Sequence, residues 1–260
     1  IRMNAMTNTH TALLCSLIVT CLLAACTSGN EATPATQLHE PAEPGFTTPV
    51  TLDALTVPVT ISGKRYEFLV DTGAAYTIID SRVAAAVSRE AKPEEVPAII
   101  REGTQSGISA TDRTLAADEI KMFVPQRLQI GQYTLKGPIW LSQDLATPSS
   151  AIGVNLGGIL VADIIRQLNW QVDNLRGMMT VSADPPSMTG YQHCVPYQNK
   201  YGWAPELFLG LPNGEGVPFQ IDTGADDSLA PREVIEAMAQ VGVKAKPLHT
   251  SPAATAGGAT

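Results

Sequence analysis

A seven-residue stretch occurs twice in this chain in closely similar form. Phe68-Leu69-Val70-Asp71-Thr72-Gly73-Ala74 reappears 151 residues later as Phe219-Gln220-Ile221-Asp222-Thr223-Gly224-Ala225. Each copy is an apolar, strand-like run that ends at an aspartate and passes into turn residues. The match continues on both sides. Upstream, a turn that contains glycine occurs in both copies, at Ile61–Lys64 and Leu211–Gly214. Downstream, both copies have the start of a helix, at Ser81–Ala84 and Arg232–Ile235. A repeat of this length predicts two homologous lobes.

The amino-acid composition indicates which class of protein contains this repeat. The chain has 260 residues, a net charge of −8, 44% hydrophobic residues and 16% charged residues. This is enough apolar material for a real core, which excludes wholesale disorder. The acidic balance argues against nucleic acid as a partner, because phosphate binding needs clustered Lys and Arg. The 19 prolines and 21 glycines favour a strand-rich and loop-rich architecture.

The pattern of apolar residues predicts a mainly β fold with short helices. Leu55–Ile61 and Arg65–Val70 are expected to form a hairpin that turns at Ser62-Gly63. Gly153–Ala162 is nearly all apolar and is expected to be buried, whereas Arg101–Asp112 is a polar stretch typical of a mobile loop. Other predicted elements are strands at 76–79, 121–124, 128–130 and 139–141, a helix of 83–87 capped by Ser81, a helix of 164–168 started by Asp163, and a hairpin of 170–172 with 178–181.

The first 26 residues have the pattern of an export signal. Ala12–Ala25 is uncharged and mostly apolar, and is the length of a signal-peptide core rather than of a membrane span. It ends in Leu23-Ala24-Ala25-Cys26, which resembles the lipobox of bacterial lipoproteins. The resemblance implies acylation of Cys26, a membrane anchor, and the outer membrane of a Gram-negative cell, facing the periplasm. A plain secretory signal and a buried helix are the alternatives.

Four segments follow from these patterns. Residues 1–25 are expected to be the signal peptide, and 26–50 the lipidated cysteine and a flexible tether, because this stretch has almost no large apolar side chain. Residues 51–185 are expected to form the first lobe and residues 186–260 the second.

Two aspartates at matched positions suggest a specific chemistry. Two carboxyl groups about 3 Å apart cannot both ionise, so they hold one proton between them. The ionised group then takes a proton from water while the protonated group supplies one to the scissile bond. Such a pair titrates as a unit, so the sequence does not assign the proton to either aspartate. Asp, Thr and Gly also favour turns, which accounts for one triplet but not for a matched pair.

The paired triplets resemble those of the aspartic peptidases, the retropepsin-like and pepsin-like group. The second copy, with Asp226-Asp227-Ser228 after it, looks like the retroviral protease loop, and the first copy, with Tyr76–Asp80, is similar to bacterial retropepsin-like proteins. The resemblance implies a bilobal, pseudo-twofold enzyme in which Asp71 and Asp222 are catalytic. It also implies residues that support the catalytic pair, namely Thr72, Gly73, Thr223 and Gly224. The substrate-binding residues that it implies are Ala74, Ala225, Asp226, Asp227 and, in the flap, Gly107.

Two departures from this family pattern stand out. Val161 occupies a position at which the family has glycine, so the packing behind the catalytic loop is expected to differ. Only 38 residues follow Asp222, which predicts an incomplete second lobe. An active form would then need either the remainder of that lobe or a substitute for it from another chain in a dimer.

The hypothesis is therefore a lipid-anchored aspartic endopeptidase that hydrolyses peptide bonds without metal or cofactor. The four histidines show no metal-ligand spacing, and Cys194 beside His193 is a weak nucleophile candidate, since adjacent side chains of extended chain face opposite ways. The alternative is a catalytically silent lipoprotein of the same fold that binds peptide or cell-envelope polymer.

Overall fold

The computed structural model describes thirteen stretches of the chain. They are residues 45–50, 54–74, 76–104, 108–109, 114–115, 119–137, 139–185, 191–198, 204–212, 214–225, 230–243, 254–255 and 258–259. The expected signal peptide and Cys26 lie outside them, as do Gly107, Asp226 and Asp227.

The predicted hairpin that leads to Asp71 is present. Strands β2 (Thr56–Ile61) and β3 (Lys64–Val70) pair antiparallel, with Thr56 opposite Leu69 and Ile61 opposite Lys64. The turn between them needs two left-handed residues, and Ser62 and Gly63 have φ of 50° and 79°. The core contains Val57, Val59 and Ile61 of β2 and Phe68 and Val70 of β3, and this packing holds the end of β3 in place before Asp71.

The hairpin belongs to an eight-stranded sheet with the order β7-β10-β4-β11-β3-β2-β8-β9. The central strand β11 (Leu156–Leu160) runs parallel to β3 and antiparallel to β4. Because β11 and β3 run parallel, they end at one edge of the sheet, where the Asp71 N–H donates to the Leu160 carbonyl at 2.9 Å. The other strands are β4 (Ile78–Asp80), β7 (Lys121–Phe123), β8 (Leu128–Ile130), β9 (Tyr133–Leu135) and β10 (Trp140–Gln143).

The core of the first lobe lies on this sheet. All five residues of β11 are buried, as are Val161 and Ala162, which confirms the prediction for 156–162. The prediction is wrong for the start of the segment, where Gly153 and Asn155 are exposed. Gly158 is required there because the Phe68 ring lies against its α-carbon, where a side chain would overlap the ring. Val161 is extended and fully buried, and it packs in a small cluster with Leu145, Leu156 and Ile159.

Short helices connect the strands, and two differ from the prediction. Helix α1 (Ser81–Val87) ends as expected but begins earlier, because Asp80 rather than Ser81 caps it: the Asp80 carboxylate accepts the Arg82 N–H at 3.0 Å. Helix α4 (Ala162–Ile165) starts and ends earlier than predicted. Helices α2 (Ala98–Thr104) and α3 (Ala146–Ile152) complete the lobe.

The loop predicted for 101–112 is partly regular structure. Helix α2 includes its first four residues, and β5 (Ile108–Ser109) pairs with β6 (Thr114–Leu115) further along. The prediction of an irregular loop is wrong for these residues. The apolar Ile99 and Ile100 precede the polar stretch, and the buried Ile100 anchors the helix that continues into it.

A second, three-stranded sheet has the order β1-β13-β12. Strands β12 (Asn169–Asp173) and β13 (Met178–Ser182) form the predicted hairpin. Strand β1 (Phe46–Pro49) pairs with β13 along its length, so the tether prediction is wrong for its last residues. The reason is nonlocal: Phe46 packs against the core and Thr48 is buried, although the segment is poor in large apolar side chains.

The second repeat forms the same local elements as the first. Strands β14 (Glu206–Gly210) and β15 (Gly216–Gln220) make a hairpin that leads to Asp222, and helix α5 (Arg232–Gln240) follows as predicted. Strands β16 (Ala254–Thr255) and β17 (Gly258–Ala259) pair near the end of the chain. The mainly β fold with short helices is thus confirmed. Within the described ranges, no helix has the length and apolar character needed to cross a bilayer.

Candidate active site

The first aspartate is held by the backbone of its own turn. Asp71 follows β3, and its Oδ1 accepts the N–H groups of Gly73 at 2.8 Å and Ala74 at 3.0 Å. Together with the bond from its own N–H to Leu160, these contacts fix both the backbone and the side chain of Asp71. Strand β3, anchored by the buried Phe68 and Val70, thus presents a carboxyl group of defined orientation.

The second aspartate has the same local geometry with one contact fewer in the described structure. Asp222 Oδ1 accepts the Gly224 N–H at 2.8 Å. The residue before it, Ile221, donates its N–H to the Pro205 carbonyl, also at 2.8 Å. Asp222 is exposed to solvent, whereas Asp71 is half-buried, so the two carboxyl groups have unequal environments.

Two threonines join the turns through reciprocal hydrogen bonds. The Thr72 N–H donates to Thr223 Oγ1 at 3.1 Å, and the Thr223 N–H donates to Thr72 Oγ1 at 3.1 Å. Each hydroxyl in turn donates to the carbonyl that precedes the opposite aspartate: Thr72 to Ile221 at 2.6 Å, and Thr223 to Val70 at 2.7 Å. The four bonds relate the turns by a local twofold and leave little freedom in their separation.

Two glycines let the carboxyl groups reach each other. A β-carbon on Gly73 would overlap the Asp222 carboxyl group, and one on Gly224 would lie 2.5 Å from the Asp71 carboxyl carbon. Each carboxyl group therefore rests on the glycine of the opposite turn, and no larger residue fits without moving it. Residues that are 151 positions apart in sequence meet at one point.

The electrostatics follow from this contact. Burial, followed by repulsion from the Asp222 carboxylate and a hydrogen bond with it, raises the pKa of Asp71 to about 6, although the Gly73 and Ala74 N–H groups oppose the shift. A carboxyl pair with one pKa raised in this way still holds one proton at mildly acidic pH. The site can therefore supply an acid and a base at the same time.

The remaining predicted site residues are placed as follows. Ala74 contributes its N–H to Asp71, and Ala225 follows Gly224 in the second turn, half-buried. The predictions for Gly107, Asp226, Asp227 and Cys26 fall outside the described residues. In the described part of the chain, no cluster of His, Cys, Asp and Glu could hold a metal ion, and Cys194 is exposed and makes no disulfide.

Two contacts near the site were not predicted. Thr77 Oγ1 donates to Asp163 Oδ1 at 3.2 Å and ties the segment after the Asp71 turn to helix α4. Gln220 Nε2 donates to the Gly73 carbonyl at 3.2 Å, across the two turns. The sequence could have indicated the second contact, because the polar Gln220 stands where the first copy of the repeat has the apolar Leu69.

The first lobe matches a known protein family. Residues 57–156 match the family model described as aspartyl protease. The matched segment contains Asp71, Thr72 and Gly73 and ends before the second triplet. The match relates the first lobe to the aspartyl proteases. No curated protein matches the chain at a significant level.

Three solved structures are similar to the chain. The EIAV protease complexed with the inhibitor HBY-793 has 17% identity and a TM-score of 0.30, over 44% of this chain and 86% of that one. A retropepsin-like aspartic protease from Rickettsia conorii has 11% identity and a TM-score of 0.35, over 56% and 96%. The retroviral protease-like domain of Ddi1 from Leishmania major has 16% identity and a TM-score of 0.31, over 50% and 90%.

Proposed function

We propose that this protein is an aspartic endopeptidase that hydrolyses peptide bonds with Asp71 and Asp222 as its catalytic pair. The observation that carries the proposal is the reciprocal contact of the two carboxyl groups with Gly224 and Gly73. It makes one shared proton the favoured state, which is the condition for metal-free amide hydrolysis by two carboxyl groups.

The proposed reaction uses the pair as a unit. A water molecule held between the carboxyl groups loses a proton to the ionised aspartate and attacks the peptide carbonyl carbon. The protonated aspartate donates its proton to the carbonyl oxygen, which gives a tetrahedral intermediate. The aspartate that took the water proton then donates it to the nitrogen, while the other aspartate takes a proton from a hydroxyl of the intermediate. The carbon–nitrogen bond breaks, the products are a carboxylic acid and an amine, and the pair again holds one proton. Backbone donors in both turns hold the carboxyl groups in place throughout.

The test is cleavage of an unfolded protein substrate between pH 4 and pH 7, with Asp71→Asn and Asp222→Asn as matched variants. The proposal expects peptide products from the wild type and none above background from either variant. A wild type without turnover would refute it. Binding of a peptide without turnover would instead support the silent peptide-binding protein.

The proposal also places the enzyme on a membrane through acylation of Cys26, with the catalytic domain in the periplasm. Its support is the resemblance of Leu23-Ala24-Ala25-Cys26 to a lipobox. Fatty-acid labelling in a Gram-negative host should mark the wild type, and Cys26→Ser should lose the label. An equal label on both would contradict the anchor.

A further inference from the structure

Gln220 gives the second turn a side chain that the first turn lacks. It stands two residues before Asp222, as Leu69 stands two residues before Asp71. The Gln220 side chain is exposed, and its Nε2 donates to the Gly73 carbonyl at 3.2 Å. Leu69 instead packs in the apolar cluster that includes Ala74 and Ile159.

These two side chains hold equivalent positions in the two turns that carry the carboxyl pair. Residues two positions apart in extended chain face the same way, so Gln220 shares a side with the Asp222 carboxyl group. The contacts agree, because both groups touch Gly73 of the opposite turn. The reciprocal bonds of Thr72 and Thr223 relate the two turns by a local twofold, so Leu69 holds the position before Asp71 that Gln220 holds before Asp222.

We propose that Gln220 makes the cleft chemically unequal, so that it prefers a peptide with an apolar side chain on the Leu69 side of the scissile bond and an amide or hydroxyl side chain on the Gln220 side. The inference rests on the proposed peptide substrate. A peptide that lies across the pair presents the residue before the bond to one turn and the residue after it to the other. The bond to Gly73 holds the Gln220 amide in place before a ligand arrives, which lowers the entropy cost of a hydrogen bond to the ligand.

The test is the binding of three peptides in which a hydroxyethylene group replaces the scissile bond. They are identical except at the two flanking positions, which carry Leu and Leu, Leu and Asn, or Asn and Leu. The wild type should bind one of the Asn peptides about threefold to tenfold more tightly than the Leu–Leu peptide, the effect of one hydrogen bond. Gln220→Leu should lose this preference and bind the Leu–Leu peptide best.

Two further variants keep the result interpretable. Gln171→Leu makes the same change at an exposed position of the three-stranded sheet and should leave the preference intact. Gln220→Asn keeps the amide on a shorter side chain and should retain part of it. Thermal unfolding of Gln220→Leu should match the wild type, because the side chain is exposed.

The outcomes separate this inference from the proposed function. Equal wild-type affinities for the three peptides, a preference that survives in Gln220→Leu, or no binding of any peptide would overturn the inference. Cleavage is measured separately on the corresponding peptides with an intact bond. Selective binding that depends on Gln220 without any cleavage would refute the hydrolase and uphold the unequal cleft.

Discussion

Thr72 and Thr223 each donate a backbone N–H to the other's hydroxyl, at 3.1 Å in both directions. Each hydroxyl donates its own proton to the carbonyl just before the opposite aspartate. The separation of the two carboxyl groups is therefore set by four hydrogen bonds that do not involve the carboxyl groups themselves. The site is built before substrate arrives, which is the arrangement that efficient catalysis requires.

Removal of one threonine hydroxyl should loosen this arrangement. Thr72→Val leaves the Thr223 N–H and the Ile221 carbonyl without their partner, at a cost of about 1–2 kcal/mol in unfolding free energy. Thr72→Ser keeps the hydroxyl and should retain most of the stability and activity. Chemical denaturation and kcat/KM measure the two effects.

The control for this prediction is Thr180→Val. Among the residues that the structure describes, its hydroxyl bonds with Thr47 in an exposed pair at 3.2 Å, so the loss should stay within about 0.5 kcal/mol. Equal losses of unfolding free energy in Thr72→Val and Thr180→Val would show that the reciprocal bonds stabilise the protein no more than an exposed hydrogen bond does.

Replacing either aspartate with asparagine should remove activity without unfolding the protein. Asparagine keeps the Oδ1 acceptor that the Gly73 and Ala74 N–H groups require, but it cannot share a proton with its partner. We expect a loss of at least about a hundredfold in kcat/KM for Asp71→Asn and for Asp222→Asn. Circular dichroism checks the fold. Wild-type turnover in either variant would refute the shared role of the pair.

Adding a methyl group at either glycine should push the pair apart. Gly224→Ala places a β-carbon 2.5 Å from the Asp71 carboxyl carbon, and Gly73→Ala places one against the Asp222 carboxyl group. A shift of about 1 Å in a reacting group can cost about a hundredfold in rate. Gly210→Ala is the matched control, because no neighbouring atom in the described stretches lies within 4 Å of the added carbon. A normal kcat in Gly73→Ala would show that close approach of the two carboxyl groups is not needed for catalysis.

Activity should fall as the pH rises through about 6. Burial and the Asp222 carboxylate raise the pKa of Asp71 to about 6, so above this pH the pair loses the proton that it must donate. The measurement is kcat/KM of the wild type against pH. A rate that stayed level to pH 8 would mean that the proton comes from elsewhere.

Stability should follow the same titration with a defined sign. Asp71 has a folded pKa of about 6 against an ordinary value of 3.8, so the folded state holds this proton more tightly than the unfolded state. This tighter proton binding stabilises the folded state fully below about pH 4. The stabilisation, at most about 3 kcal/mol of unfolding free energy, is lost as the pH rises to about 6.

The difference in unfolding free energy between wild type and Asp71→Asn isolates this contribution. This difference should change by at most about 3 kcal/mol between pH 4 and pH 7, because the wild type becomes less stable relative to the variant at higher pH. A constant difference across the range would contradict the raised pKa. Carboxyl groups elsewhere, such as Glu95, whose pKa is lowered to about 2 by Arg89, are common to both proteins and cancel.

The sequence predicted the elements that depend on local patterns. The β2–β3 hairpin followed from alternation and a Ser-Gly turn, and the start of α5 followed from comparison of the repeats. Features that depend on distant partners were missed or misplaced. Asp80 is buried and accepts the Leu145 N–H, 65 residues away, as well as the Arg82 N–H that makes it the helix cap. Strand β1 exists because β13 pairs with it.

The same distinction applies to the site. The repeat identified both aspartates as candidates, since their chemistry depends only on residue type and on the pairing of the turns. The unequal environments of the two carboxyl groups and the Gln220 contact depend on how the lobes meet, which no local pattern encodes.

The most direct measurement is a ¹³C NMR titration of the aspartate carboxyl carbons in the wild type and in Asp222→Asn. One shared proton predicts that the Asp71 signal titrates near pH 6 in the wild type and at lower pH in Asp222→Asn, where the second charge is gone. An Asp71 signal that titrates near pH 4 in both proteins would contradict the contact between the two carboxyl groups.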